Sequence, residues 1–469
     1  MSKFNSLRSS LASANVWRPA TAASPVTLSP QPVPTPQKLR AATLKDSRSN
    51  LFQSIGFWVF CTYMLSGHAN DWALRLFGGK AFLSVAALLL LPFVWLLSGN
   101  ALRGLRHPIG RWWLVFLVWL LLSTPLSIWK GGTVDLLKNY IPRSYLIFFY
   151  ISAFVISLRQ CRCLTYVNIA AATILLLTCL FFGGYSEDGR FEVPGSLVGN
   201  SNELALQLLL GVTQFAFLFF TKGFGKKAFA TLGIGLSVVF MLRTGSRGCM
   251  IAAVAYGVLT LVVSRHKVRV LILAVLIAAT ALISLPSVTM RRLTDLGFDD
   301  DYQNLADGTA AGSRMQRIEL LKRSVQETMQ HPLFGVGPGQ FPVAVAGEQE
   351  KKGEWANWLG THNSYTQVSS ECGVPALLFY TIVIALCLRM NYRLFAVTKR
   401  NPAHAEIAGL AATVLAGTVV YAVCTFFFHM AYTGNLPSVA GLTLALHFAA
   451  NEALRSEPTA SQPVKPGAR

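Results

Sequence analysis

Twelve apolar runs, each near or above the length that crosses a lipid bilayer, follow one another along this chain. A helix needs about 20 consecutive apolar residues to span the hydrocarbon core of a membrane. Several runs are short or closely spaced, so two of them could be re-entrant or could merge. The runs lie at about 51–66, 81–98, 112–128, 141–158, 164–183, 203–221, 228–243, 249–264, 268–287, 374–390, 404–428 and 436–450.

The composition excludes an ordinary soluble fold. Of the 469 residues, 53% are hydrophobic and only 13% are charged, which is more apolar surface than soluble domains bury. We therefore predict an all-α integral membrane protein with about 12 transmembrane helices. The net charge of +20 does not indicate a nucleic-acid partner, because Lys and Arg lie in short clusters between the apolar runs.

These basic clusters occur in alternate loops, and this pattern predicts the orientation. Cytoplasmic loops of membrane proteins carry an excess of Lys and Arg. Both termini are then predicted to be cytoplasmic. The domain prediction is nine transmembrane helices in 51–287, a large periplasmic loop in 288–373 between helices 9 and 10, and three more helices in 374–450. The basic loops contain Arg103, Arg106 and Arg111; Arg159 and Arg162; Lys222, Lys226 and Lys227; Arg265, Lys267 and Arg269; and Arg389, Arg393, Lys399 and Arg400.

The two ends of the chain differ from the apolar middle. Residues 1–50 are rich in Ser, Ala, Pro and Thr and lack an apolar core of signal-peptide length. We predict a disordered cytoplasmic tail there and a shorter cytoplasmic tail at 451–469. Most of the eight cysteines lie within apolar runs, so neither a disulfide framework nor a zinc site follows.

The periplasmic segment contains most of the candidate chemistry. After Ser313, apolar residues recur at helical spacing, which predicts an amphipathic helix on the protein or membrane surface that stops near His331 and Pro332. The following run HPLFGVGPGQF predicts a compact turn, but no Gly-Lys-Ser/Thr follows it, which excludes a nucleotide-binding loop. The acidic run at 299–301 lacks the ligand spacing of a calcium loop, so no metal site is predicted.

Five of the arginines on the predicted outer face, where cations oppose the topological bias, are candidates for a binding role. A guanidinium binds phosphate oxygens in a bidentate fork, and several converging forks suit a diphosphate group. The alternative is that each arginine extends to the interface or caps a helix end. These residues are Arg190, Arg243, Arg247, Arg314 and Arg317.

His362, in THNSYTQVSSECG, is the best candidate for proton chemistry. Imidazole titrates near neutral pH and can accept a proton from a sugar hydroxyl, although a lone histidine is more often structural. Asn363 and Glu371, in the same motif, are further candidates. Trp355 and Trp358 could stack on sugar rings or belong to an interfacial aromatic belt.

The motifs GRFEVPGSLVGNSNELA, TGSRG, SRMQR with HPLFGVGPGQF, and THNSYTQVSSECG, in this order, resemble the O-antigen ligase and polymerase superfamily of bacterial envelope proteins. The resemblance covers roughly Arg190 to Gly373. It implies a GT-C-like, metal-independent, inverting membrane glycosyltransferase without a cofactor, placed in the bacterial inner membrane. It implies that Arg190, Arg247 and Arg314 engage the diphosphate of an undecaprenyl-diphosphate glycan donor, and that His362 in the periplasmic catalytic loop activates the acceptor hydroxyl.

The acceptor remains open at this point. A ligase would use a sugar of the lipid A core, and an O-antigen or exopolysaccharide polymerase would use another lipid-linked glycan. A protein O-oligosaccharyltransferase would use a Ser or Thr. A different class, a polytopic transporter or flippase, should show inverted repeats or paired broken helices, and the sequence shows neither.

Overall fold

The computed structural model describes residues 50–78, 83–187, 189–196, 198, 200–264, 267–283, 290, 310–353, 355–356 and 358–456. Within these ranges the chain is mostly α-helical. Its α-helices are α1 Leu51–Phe77, α2 Leu83–Leu97, α3 Pro108–Ser123, α4 Lys130–Tyr140, α5 Ile147–Phe154, α6 Leu158–Phe182, α7 Ser201–Ala216, α8 Phe224–Arg243, α9 Arg247–Val263, α10 Lys267–Ile283, α11 Ala310–Gln330, α12 Phe341–Lys351, α13 Ser364–Thr398, α14 Ala405–Cys424 and α15 Asn435–Ser456.

The predicted helical membrane fold is confirmed. Each of the twelve predicted apolar runs coincides with at least one helix. Among the described residues, six helical segments are long and apolar enough to cross a membrane, so the count of twelve crossings stays a prediction. The six are Pro108–Leu126, Leu158–Phe182, Ser201–Phe220, Phe224–Arg243, Ser364–Thr398 and Pro402–Cys424.

The run 141–158 is the least regular of the predicted spans. It begins with a π-helical turn, Ile141–Tyr145, continues as the two-turn helix α5, and becomes extended at Val155. Pro142 lacks a backbone N–H, so it removes one helical hydrogen bond at this place. All eight residues of α5 are buried, which makes this segment a buried core element of the bundle.

The long helix α13 begins at Ser364, ten residues before the predicted span, and is kinked. At Gly373 the backbone takes φ 84° and ψ 171°, and the N–H of Val374 donates to the carbonyl of Pro332 at 2.8 Å. The glycine-rich turn packs directly on this kink. A Cβ on Gly335 would lie 2.2 Å from the carbonyl carbon of Glu371, so only glycine permits the approach.

The amphipathic helix predicted after Ser313 is present as α11 and ends at Gln330, beside the predicted stop. Its buried face consists of Leu320, Ser324 and Glu327, and the Thr328 hydroxyl is hydrogen-bonded to that of Ser369 on α13 at 2.8 Å. The predicted apolar stripe points away from the protein, where it is available to a membrane surface. Its exposed fractions are Met315 52%, Ile318 38%, Leu321 40%, Val325 47% and Met329 78%.

Several predictions fall outside the described residues. The N-terminal tail lies there except for Asn50, as do the acidic run at 299–301 and residues 457–469. The C-terminal helix α15 extends to Ser456, six residues into the predicted tail.

Candidate functional site

His362 lies in the turn that leads into α13. The next residue, Asn363, caps the helix: its side-chain oxygen accepts hydrogen bonds from the backbone N–H groups of Tyr365 at 2.9 Å and Thr366 at 3.2 Å. His362 has a φ of 50°, and no other non-glycine residue among those described has a positive φ. A left-handed non-glycine residue costs roughly 1–3 kcal/mol and is frequent at functional sites.

A second loop, residues 425–431 between α14 and α15, is hydrogen-bonded to the start of α13. The Ser364 hydroxyl donates to the carbonyl of Phe428 at 2.6 Å. This contact brings the ring of His429 against the ring of His362, with ring centroids 5.1 Å apart and an interplanar angle of 77°. His362 is half-buried, whereas His429 is exposed.

Arg190 is held in place by hydrogen bonds to two other elements, the turn after α8 and the start of α7. It directly precedes the strand Phe191–Glu192 (β2), which pairs antiparallel with Gly184–Tyr185 (β1). Its Nε donates to the carbonyl of Thr244 at 3.0 Å, and its Nη2 donates to Oδ1 of Asn202 at 2.7 Å. The guanidinium therefore joins the β-hairpin, the turn after α8 and the start of α7.

Burial and positive charge together hold His362 neutral. Burial has the largest effect, followed by His429, Arg317 and Arg190, and together they lower the pKa of His362 from 6.5 to about 4. The structure thus brings two of the predicted arginines within electrostatic reach of the predicted histidine. A neutral imidazole keeps a free lone pair, which is what a proton acceptor requires.

The other predicted arginines lie on neighbouring elements. Arg243 ends α8, with its guanidinium carbon 5.9 Å from the centroid of the Phe240 ring. Arg247 is the first residue of α9 and is half-buried. Arg314 lies in the first turns of α11, but its side chain is outside the described part of the structure.

The α8–α9 turn is tied to the loop that carries His429. The turn takes a left-handed backbone at Gly245, with φ 63°, and Ser246 precedes α9 as its N-cap residue. Just inside α9, the Cys249 sulfur lies 3.7 Å from that of Cys424, the last residue of α14. The arginine-bearing turn and the 425–431 loop are therefore parts of one packed unit.

Glu371 and Asn363 have structural partners. The Glu371 carboxylate is buried, accepts the N–H of Gly339 at 2.9 Å and is hydrogen-bonded by Tyr432. It lies about two helical turns after Asn363, so it anchors the glycine-rich turn to the kink. Asn363 positions His362 through the helix cap.

The two tryptophans of the periplasmic segment lie at the surface. Trp355 is 88% exposed and Trp358 is 62% exposed. Both interpretations of these residues, stacking on a sugar ring and insertion into the membrane interface, require exposed indole rings.

Sequence reasoning missed three polar residues near this site. His429 lies in an apolar context, FFFHMAY, and the carboxylate of Glu203 acts on it by raising its pKa against the lowering effect of burial. Arg143 lies in the π-helical turn Ile141–Tyr145 and is exposed. A π-helical turn often marks a functional position, but it cannot be read from the sequence of IPRSY.

A cavity of about 740 Å³ opens within the helices beside this site. Glu203, Arg143, Asn70 and Asn435 contribute polar groups to its wall, and Met430, the neighbour of His429, also lines it. The remaining wall is largely apolar, from residues such as Leu164, Leu175, Val414 and Leu442. A cavity of this volume, with polar groups among apolar ones, suits a large amphipathic ligand.

A comparison with protein families gives a match over part of the chain. A family model described as O-antigen ligase matches residues 232–381, a range that contains Arg247, Arg317 and His362 but neither Arg190 nor His429. A search of the curated proteins gives no match. The match covers 150 of the 469 residues, and over that segment this multi-pass membrane protein is similar to the O-antigen ligase family.

Proposed function

We propose that this protein transfers a glycan from undecaprenyl diphosphate to a sugar of the lipid A core at the periplasmic face of the bacterial inner membrane. The observation that carries the proposal is the neutral His362, half-buried and within electrostatic reach of Arg190 and Arg317. A base between cations is the arrangement that a reaction with an anionic leaving group and a neutral nucleophile requires.

The proposed reaction is an inverting displacement. The acceptor hydroxyl gives its proton to His362 while its oxygen forms a bond to the anomeric carbon of the donor sugar. The bond between that carbon and the diphosphate oxygen breaks, and the electron pair leaves with the diphosphate. Arginine forks stabilise the charge that grows on the leaving group. Arg190, Arg247, Arg314 and Arg317 are the proposed donor-binding residues.

Donor binding would also tune the base. In the free protein Arg190 and Arg317 disfavour the protonated form of His362. A diphosphate between the arginines and the imidazole offsets their positive charge, so it raises the pKa of His362 towards the working pH. The histidine then becomes a stronger base only when the donor is present, which couples donor binding to acceptor activation.

The lipid parts of the substrates have matching surfaces. The largely apolar cavity beside His429 suits a polyprenyl or acyl chain whose polar end stays near Glu203 and Asn435. The exposed apolar stripe of α11 suits the membrane surface over which such lipids diffuse. Both features lie next to the arginine and histidine cluster.

The test uses purified protein in lipid nanodiscs with undecaprenyl-diphosphate glycan and EDTA. Separate reactions contain lipid A core, no acceptor, or an unfolded Ser/Thr-rich peptide, and the products are resolved on a gel. We expect glycosylated lipid A core only in the first reaction. Longer lipid-linked chains without added core would show a polymerase, and a glycosylated peptide would show a protein O-oligosaccharyltransferase. Absence of product in all three reactions, together with movement of the glycan across the membrane of sealed proteoliposomes, would show a transporter.

A further inference from the structure

We propose that His429, supported by the carboxylate of Glu203, is the outlet through which His362 passes on the proton that it takes from the acceptor hydroxyl. This inference rests on the proposed glycan transfer. It assigns a positioning and proton-relay role to a residue outside the segment that resembles the O-antigen ligase family, which ends at residue 381.

The rings of His362 and His429 are in contact. Their ring centroids are 5.1 Å apart in an edge-to-face arrangement. The contact is fixed from both sides, because the N–H of Met430 donates to the Ser364 hydroxyl at 2.7 Å and that of Ala431 donates to Gln367 Oε1 at 3.2 Å. Rings held this close can exchange a proton through one bridging water.

The backbone before His362 also leaves room for the second ring. A Cβ on Gly360 would lie 2.9 Å from Cγ and Cδ2 of His429 and 3.0 Å from Nε2. Any larger residue would therefore displace the ring from its place beside His362. The close approach of this backbone holds the His429 ring in a defined position at the rim.

The two histidines have different charged neighbours. Once His362 is protonated, its imidazolium faces the positive charges of Arg190 and Arg317, which disfavour it. At His429 burial has the larger effect and lowers the pKa, but the negative charge of Glu203 acts in the opposite direction and favours the protonated form. Glu203 lies in the first turn of α7 and lines the same cavity wall as Met430. The charged neighbours therefore favour a proton on His429 over one on His362.

His429 also gives the proton a route to water. His362 is half-buried, and a bound donor and acceptor would cover it further. His429 is exposed, so it can release a proton to solvent while the substrates occupy the site. The step is balanced: the proton leaves His362, is held by His429 as an imidazolium that the negative charge of Glu203 stabilises, and passes to water, which restores both neutral rings.

The test measures kcat, donor Kd and pH dependence for the full-length protein in nanodiscs. The variants are His429→Ala, His429→Gln and Glu203→Gln, with His404→Ala, far along the chain in the α13–α14 connection, as the matched control. We expect kcat to fall about 10-fold or more in His429→Ala, below the 10²- to 10⁴-fold loss typical of a direct base, with donor Kd unchanged. We expect added imidazole to restore part of the rate and the solvent isotope effect on kcat to increase.

Glu203→Gln should retain transfer with a smaller loss of kcat and an altered pH profile, because the carboxylate no longer stabilises His429 as a cation. A wild-type kcat in His429→Ala would overturn the relay. A loss of kcat that imidazole does not restore, with an unchanged isotope effect, would also overturn it, because it indicates a purely structural role. A wild-type protein that transfers no glycan would overturn the proposed function itself, whereas active transfer that is indifferent to His429 would overturn only the relay.

Discussion

Two polar groups near the N-terminal end of α13, one in the turn before the helix and one within it, have opposite roles. At the start, His362 has a strained backbone, an exposed histidine neighbour and positive charges that keep it neutral. Two turns later, the buried Glu371 carboxylate is satisfied by Gly339 and Tyr432. A buried polar group with complete partners stabilises the fold, whereas a titratable group whose pKa is shifted by burial and by nearby charge is a candidate for a functional role.

The largest effect should come from the first of these groups. His362→Ala removes the proposed base, so we expect glycan transfer to fall by about 10²- to 10⁴-fold while the donor Kd stays near the wild-type value. Turnover is measured by gel and donor binding by a filter assay with labelled lipid. Transfer close to the wild-type rate in the His362→Ala protein would show that His362 is not the base, and the proposed contrast with the structural Glu371 would then be wrong.

Arg190→Ala should give the next largest effect. Loss of a charge-assisted hydrogen bond costs about 1.5–3 kcal/mol, so donor affinity is expected to fall roughly 10- to 100-fold. Arg190→Lys should recover only part of it, because an ammonium lacks the bidentate fork. Asn202→Ala removes one of the two partners that orient the guanidinium but keeps its charge, so it should lose less donor affinity than Arg190→Ala. Equal donor affinity in the wild type and in Arg190→Ala would sink the diphosphate-binding role.

Glu371→Ala tests the structural role of the buried carboxylate. It leaves the N–H of Gly339 without its acceptor, which costs about 1–3 kcal/mol of stability. The expected result is a lower unfolding temperature in nanodiscs, with turnover per folded molecule close to that of the wild type. Wild-type stability combined with lost turnover would instead place Glu371 in the reaction.

Asn363→Ala should give the smallest effect. It removes the helix cap that lies between His362 and the first turn of α13. Loss of the helix cap costs about 0.5–2 kcal/mol, and the His362 turn loses its anchor, so kcat should fall modestly. Asn363→Ser retains a capping oxygen and should behave like the wild type in both thermal unfolding and turnover. If the serine variant were as impaired as the alanine variant, the Asn363 amide would have a role beyond the cap.

Local patterns in the sequence were sufficient for much of this picture. The apolar runs predicted the helices, the spacing after Ser313 predicted α11, and the motif around His362 placed the histidine before a span. The start of α13 at Ser364 was missed, although Asn363 is a typical N-cap residue, because the polar run SYTQVSSEC does not look like a membrane span. Its polar groups are instead buried against α11 and the glycine-rich turn.

The remaining features depend on contacts between distant parts of the chain. His429 is 67 residues after His362, and only the hydrogen bonds between Ser364 and the 425–431 loop bring the two rings together. Glu203 comes from a third element. No periodicity or motif encodes such an arrangement, because it arises from tertiary packing. The same holds for the structural role of Glu371, which the sequence could only name as a polar residue near a candidate site.

The central claim is that the donor diphosphate binds between the arginines and His362. Its most direct test is an NMR titration of histidine-labelled protein in nanodiscs, with His362 assigned by comparison with His362→Gln, in the absence and presence of undecaprenyl diphosphate without a glycan. In the free protein the pKa of His362 should be about 4, and the bound diphosphate should raise it. The acid limb of kcat should then lie at a higher pH than that of kcat/KM. The same His362 pKa with and without undecaprenyl diphosphate, at saturating lipid, would contradict the account.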